Sequence, residues 1–175
     1  GLASDDPYLL VSIGTGTSAL RVEGDQVERV GGTALGGGTA LGLGLALTGC
    51  RSHDELVELA SRGQRGAVDL LISDIYEKVD LPIAAEATAA SFGKLARSLD
   101  SAATGAGTSA TGSENDPHKN PPHGPARSED LAAAVMGLVA ENIALIANAR
   151  ATVAGVSRIV YGGSTLYENP SIVKT

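Results

Sequence analysis

The run "VGGTALGGGTALGLGLALTG", residues 30–49, holds eight glycines and no charged side chain. It restricts the possible folds more than any other stretch. Twenty uncharged residues match the length of a bilayer-spanning helix. The glycines, however, cluster at Gly31-Gly32 and Gly36-Gly37-Gly38, where they admit left-handed and extended conformations that a spanning helix does not use. A Gly/Ser linker would be polar throughout, whereas "LGLGLALTG" reads as a helix with a face of small residues. The run is therefore expected to be a loop built for close approach, followed by a helix over 39–49.

Three short strands are expected before it. "YLLVSIG" (8–14) is apolar, partly β-branched and closed by glycine, so it reads as a buried strand. "TGT" (15–17) turns the chain, "SALRVE" (18–23) alternates as a second strand, "GDQ" (24–26) is a turn signal, and "VERV" (27–30) makes a third strand. Short turns between them imply an antiparallel meander.

After the glycine run, "SHDE" (52–55) carries the capping-box pattern, with Ser52 as cap and Glu55 reaching back, and the helix should stop at Gly63. Val68, Leu71, Ile72 and Ile75 have helical spacing and predict another helix. Pro82 separates it from 85–98, expected to be helical in part. Residues 101–127 hold hardly any large apolar side chain, so they are expected to form a disordered insertion. Ser128 is expected to cap a helix over 129–154. Its Ala132, Val135, Met136, Val139, Ile143 and Ile146 form a stripe that Leu138 and Leu145 widen. So apolar a helix should be covered on most sides, by core and by a subunit interface. "RIVYGGS" (158–164) closes the pattern as a buried strand and glycine turn.

Composition narrows the function classes. Aromatic residues make up only 3% against 43% hydrophobic, so the core must be built from Ala, Val, Leu and Ile. The net charge of −7 with no basic run argues against nucleic acid as a partner, and no membrane partner is expected. The lone Cys50 and the absence of a signal-like opening point to a reducing, cytoplasmic setting. His53, His118 and His123 have no ligand-like neighbours, and the last two sit in "NDPHKNPPHG", which reads as a solvated loop. No metal ligand is expected from protein side chains.

Two glycine turns carry the chemistry: "GGTALGGGT" before a helix and "YGGST" after a strand. Backbone N–H groups at an unobstructed helix start form an anion site, for which a phosphorylated nucleotide is the natural ligand. Tight helix packing explains Gly42 and Gly44 equally well. Meander, glycine-rich helix start and second glycine turn together match the plan of one lobe of the actin/hexokinase class of phosphotransferases, an α/β lobe of ribonuclease H type.

"IGTGTS", "RVGGTALGGGTALGL", "LTGC", "VDLLISDIY", "ASFGKL" and "RIVYGGS", in this order, resemble type II pantothenate kinases. The resemblance implies ATP-dependent phosphorylation of pantothenate to 4'-phosphopantothenate, the first step towards coenzyme A, by a homodimer joined through the 129–154 helix. ATP would arrive with Mg²⁺, and acyl-CoA is a feedback ligand for some members. The family's phosphate loop and catalytic glutamate have no match in these 175 residues, so the chain is expected to be a single partial domain, the second lobe cut at both ends, and inactive alone. By resemblance Arg29 binds the pantothenate carboxylate, a task suited to a guanidinium fork, and Ser18 is a further substrate-binding residue. The bland alternative for Arg29 is a surface pair with Glu28 or Glu23. Thr15, Gly36, Gly37, Gly38, Thr39, Ala40, Leu41, His53, Gly163 and Ser164 correspond to nucleotide-side positions, although turn chemistry alone selects Ser and Thr. Asp74 and Glu141 read as capping or interface residues rather than an acid/base pair. A sugar kinase of the same class and a non-catalytic, acyl-CoA-binding or dimerising relative are the competing readings.

Overall fold

A computed structural model describes residues 6–76, 86–96 and 126–166. It is a mixed α/β fold. Strands β1 (Tyr8–Ile13), β2 (Thr17–Glu23) and β3 (Gln26–Thr33) form the expected antiparallel meander. Strand β6 (Ile159–Gly162) joins the free edge of β1 in parallel, giving a four-stranded mixed sheet of order β3-β2-β1-β6. Leu9, Val11 and Ile13 alternate onto one face, where they are at most 1% exposed. That face is covered by helices.

The central cover is α3 (Ser128–Ala154). Its Ala132, Val135, Met136, Val139, Ile143, Ala147 and Ala151 are buried in one cluster with β1, α1 (Gly37–Thr48) and α2 (His53–Arg62). Alanines let the helix lie close to the sheet, which suits a core almost without aromatic rings. The helix has the length and apolarity of a membrane span, yet its first half is packed inside the fold. The second half is more open: Ile146 is half-buried and Leu145 is 68% exposed, so this chain by itself does not cover the whole stripe. No side chain caps its start. Ser128 is the first helical residue rather than the cap, and Arg127 takes the cap position.

Helix α2 runs between Ser52 and Gly63 as expected. Ser52 Oγ accepts from Glu55 N at 3.1 Å, while Glu55 Oε2 reaches one residue further back and accepts from Arg51 N at 2.8 Å. Gly44 of α1 lies against Leu56 and Cys50, so packing accounts for it. Gly42 faces open space, so packing does not account for that one.

The helix expected from Val68, Leu71, Ile72 and Ile75 does not form. Residues Arg65–Ala67 and Ile72–Asp74 are short 3-10 turns, and β4 (Leu70–Leu71) pairs antiparallel with β5 (Thr88–Ala90). Asp69, directly after Val68, is buried where the apolar spacing begins. Its side chain is fully buried, with Oδ2 accepting from Arg65 Nε and Oδ1 from Phe92 N, each at 2.9 Å. Around it, Ile72 N donates to Ala87 O and Lys94 N to Val68 O, so partners distant in sequence replace the helical ones. Within 85–98, residues 88–90 are strand and 93–96 one helical turn. Pro82, His118, His123 and all of the 101–127 insertion but its last two residues lie outside the described residues.

Candidate functional site

Strand β3 is longer than the sequence suggests and takes in Gly31 and Gly32. A bulge between the pairs Ala19↔Gly31 and Leu20↔Arg29 leaves Val30 without an opposite residue. Such an insertion re-aims neighbouring side chains. The Arg29 side chain lies over Gly32, where a β-carbon would sit 2.7 Å from Nη2. Ser18 stands directly across from Gly32 on β2, so Arg29 and Ser18 meet around a position that has no side chain. On Gly31 the covering group is Arg150 of α3, whose Nε would lie 2.6 Å from a β-carbon there. Gly31 thus makes room for an arginine, and Gly32 both for an arginine and for the Thr17 carbonyl of β2, which would lie 2.6 Å from a β-carbon there.

Arg29 forms neither of the surface pairs open to it from sequence. Glu23 is bound by Arg21 at 2.6 Å, and among the described residues Arg29 has no ion pair. Arg29 is an exposed residue.

The glycine-rich helix start packs on the β1–β2 turn. Gly37 N donates to Gly14 O at 2.7 Å and Gly38 N to Thr15 O at 3.0 Å. β-Carbons at Gly36 or Gly38 would sit 2.7 Å from atoms of that turn, and one at Gly37 would sit 2.5 Å from Thr165 Oγ1. The expected anion site therefore loses its first two donors, because the turn's carbonyls already hold them. Close approach is confirmed as the purpose of the glycines, but their immediate partner is this chain.

The second glycine turn arrives at the same carbonyl. Thr165 Oγ1 donates to Gly14 O at 3.1 Å. Gly163 has φ +125 and presses on the Ile13 backbone so closely that a side chain there would collide with the Ile13 carbonyl. Gly14 O thus ties three segments together: the turn at 14–16, the start of α1, and the 163–165 turn after β6.

Of the sequence-predicted site residues, Thr15, Ser18, Arg29, Gly36, Gly37, Gly38, Thr39, Gly163 and Ser164 gather at this end of the sheet. Thr39 Oγ1 is used locally, donating to Ala34 O at 2.7 Å. Ala40 does not belong to the surface: it is 0% exposed, in the core between α1 and the sheet. Leu41 likewise packs against the core. His53 begins α2, beyond the far end of α1, a helix about 18 Å long by its residue count. It is not brought to the glycine turns, and its buried Nε2 has no hydrogen-bond partner among the described residues.

Sequence reasoning missed Thr165, Gly14 and Gly16. "GGST" and "IGTG" hinted at turns, but which carbonyl they share is a three-dimensional fact. It also missed a partly buried polar junction away from the site. Arg65 donates through Nε to Asp69, through Nη1 to Glu141 and through Nη2 to Thr88, each at 2.9 Å. Burial works against the Arg65 charge, but its bonds to Glu141 and Asp69 outweigh this and raise its pKa above the ordinary guanidinium value. Glu141 is occupied here, and Asp74 pairs with Lys94 at 2.8 Å, so neither is a free acid or base.

Residues 3–175 match the family model described as Fumble. The chain belongs to the Fumble family. Among curated relatives, it is 38% identical to "Pantothenate kinase 1" of Arabidopsis thaliana over 90% of this chain and 37% of that protein. It is 36% identical to "Type II pantothenate kinase" of Oceanobacillus iheyensis over 93% of this chain and 51% of the relative. A third relative carries another name, "4'-phosphopantetheine phosphatase" of Mus musculus, at 34% identity over 97% of this chain and 18% of that protein. The chain spans about half the length of the bacterial relative and less of the plant and mouse ones.

Proposed function

We propose that this chain is the substrate-binding half of an ATP-dependent pantothenate kinase, acting at the first step of coenzyme A synthesis. One observation carries the reading: Arg29, exposed and unpaired among the described residues, reaches over Gly32 beside Ser18, where three glycine-bearing segments converge. A guanidinium held open at a sheet end suits a carboxylate, and pantothenate ends in one. Sugars do not, which disfavours the sugar-kinase reading. The names of the plant and bacterial relatives support the same substrate.

ATP fits this end of the sheet through hydroxyls and glycine surfaces rather than through free helix N–H groups. The Thr15 and Ser164 side chains are exposed, and Gly14 faces open space. Those groups would hold the ribose and phosphates. ATP supplies the phosphoryl group, and the work of these residues is to keep donor and acceptor in line. Mg²⁺ would come with the nucleotide, bound to its phosphates. The lobe follows the ribonuclease H-like plan of the actin/hexokinase class, supported by the meander with a parallel fourth strand. Leu145 and Val153, 68% and 81% exposed on the open half of α3, support a homodimer through that helix.

The phosphatase-named relative keeps a second reading alive, in which this lobe binds ligand within a larger protein of different activity. A coupled ADP-release assay on the intact protein separates them. Turnover with pantothenate and none with hexoses is expected; ATP binding without turnover on pantothenate would favour the second reading.

A further inference from the structure

The strand registers put four small positions in one row across the whole sheet: Gly162 on β6, Ser12 on β1, Ser18 on β2 and Gly32 on β3. All four lie on the face away from α3, since Ser12 sits between the buried Val11 and Ile13, and Ser18 between the buried Thr17 and Ala19. The row has hydroxyls in its middle and no side chain at either end. Arg29 stands over one end. The other end is open, because a β-carbon at Gly162 would meet only Leu10 Cδ1, at 3.9 Å. Ser12 is exposed, and its hydroxyl makes no hydrogen bond among the described residues.

We propose that Ser12 is a specificity-determining residue of the acid site, donating or accepting a hydrogen bond at the hydroxyl-bearing half of the substrate. This rests on the proposed pantothenate reading and deepens it. Neighbouring strands are about 4.8 Å apart, so Ser18 lies one spacing and Ser12 two spacings, about 10 Å, from the strand that carries Arg29. An extended acid anchored by its carboxylate at Arg29 therefore passes Ser18 first and Ser12 second. Pantothenate presents its groups in that order: carboxylate, methylenes, amide, then the hydroxyls. The next row inward offers Leu10 and Val160, an apolar surface for the dimethyl carbon between those hydroxyls.

The test is Ser12→Ala in the intact protein. A neutral hydrogen bond of ordinary strength predicts a rise of about three- to tenfold in KM for pantothenate. KM for ATP and the melting temperature should stay at their wild-type values, since the side chain is exposed and unbonded. Ser12→Thr, which keeps the hydroxyl, should restore KM. A pantothenate analogue lacking the secondary hydroxyl should bind wild type and Ser12→Ala alike. If Arg29→Ala raises KM but Ser12→Ala does not, the site stands and the role of Ser12 is overturned. If neither variant moves KM for pantothenate, the pantothenate reading itself fails. A Ser12→Ala defect that Ser12→Thr does not restore, or that comes with a lower melting temperature, also overturns the proposal.

Discussion

Gly37→Ala adds one methyl group at the first residue of α1, and the structure says what that group meets. It would lie 2.5 Å from Thr165 Oγ1 and 3.2 Å from Gly14 O. Thr165 is only 5% exposed and its hydroxyl holds Gly14 O, so it cannot swing clear without breaking the tie between the two turns. Overpacking of this kind costs about 1–3 kcal/mol. Loss of the Thr165 bond adds about 0.5–1.5 kcal/mol. Alanine's better helix propensity returns at most about 1 kcal/mol. The net expectation is a loss of about 1–3 kcal/mol, or about 3–10 °C in melting temperature for a domain of this size. Gly42→Ala in the same helix is the control, because nothing lies within 4 Å of the added group. It should stabilise by about 0.5–1 kcal/mol. Calorimetry on both variants of the intact protein, with an ATP titration of each folded sample, decides the matter. A Gly37→Ala protein as stable as Gly42→Ala would refute the packing argument. If that protein also failed to bind ATP, the glycine would be serving nucleotide directly.

Arg29→Ala should raise KM for pantothenate about ten- to hundredfold, the worth of a charge-assisted bond, with ATP affinity unchanged; equal damage to both would make Arg29 structural. Asp69→Ala strands the partly buried Arg65 and the Phe92 N–H, and should cost about 3 kcal/mol by denaturant titration. A loss below about 1 kcal/mol would mean that the junction contributes no more than a surface pair. For the proposed dimer, Leu145→Asp should give a monomer in sedimentation without altering the circular dichroism, because the side chain is already exposed; an unchanged sedimentation coefficient would refute a dimer through α3.

The meander, the Ser52–Gly63 helix, the helix after the glycine run and the long α3 were all legible, because each is set by signals a few residues apart. Alternating apolar residues, turn dipeptides, a serine cap and helical spacing act locally, and here the tertiary structure agreed with them. Arg29 and Ser18 were legible only as a resemblance. That the two stand side by side emerged only from the bulge at Val30 and the absent side chain at Gly32.

Local spacing failed at Val68–Ile75, where it was overruled by Asp69, whose buried carboxylate finds its partners at Arg65 and Phe92. It failed again at Gly37 and Gly38, whose N–H groups looked free for an anion. The glycines announce that something must come close to the backbone. They do not say what. Gly14 and Thr15, more than twenty residues earlier in the chain, supply the carbonyls that answer the question, and Thr165 comes to the same carbonyl from the other end of the sequence. Which face of α3 stays open and which strands place Ser12, Ser18 and Arg29 in line are likewise matters of register. A one-residue slip would turn every side chain of a strand to the opposite face. Local propensity cannot specify that alignment, because it arises only when distant strands pair and bury their apolar faces together.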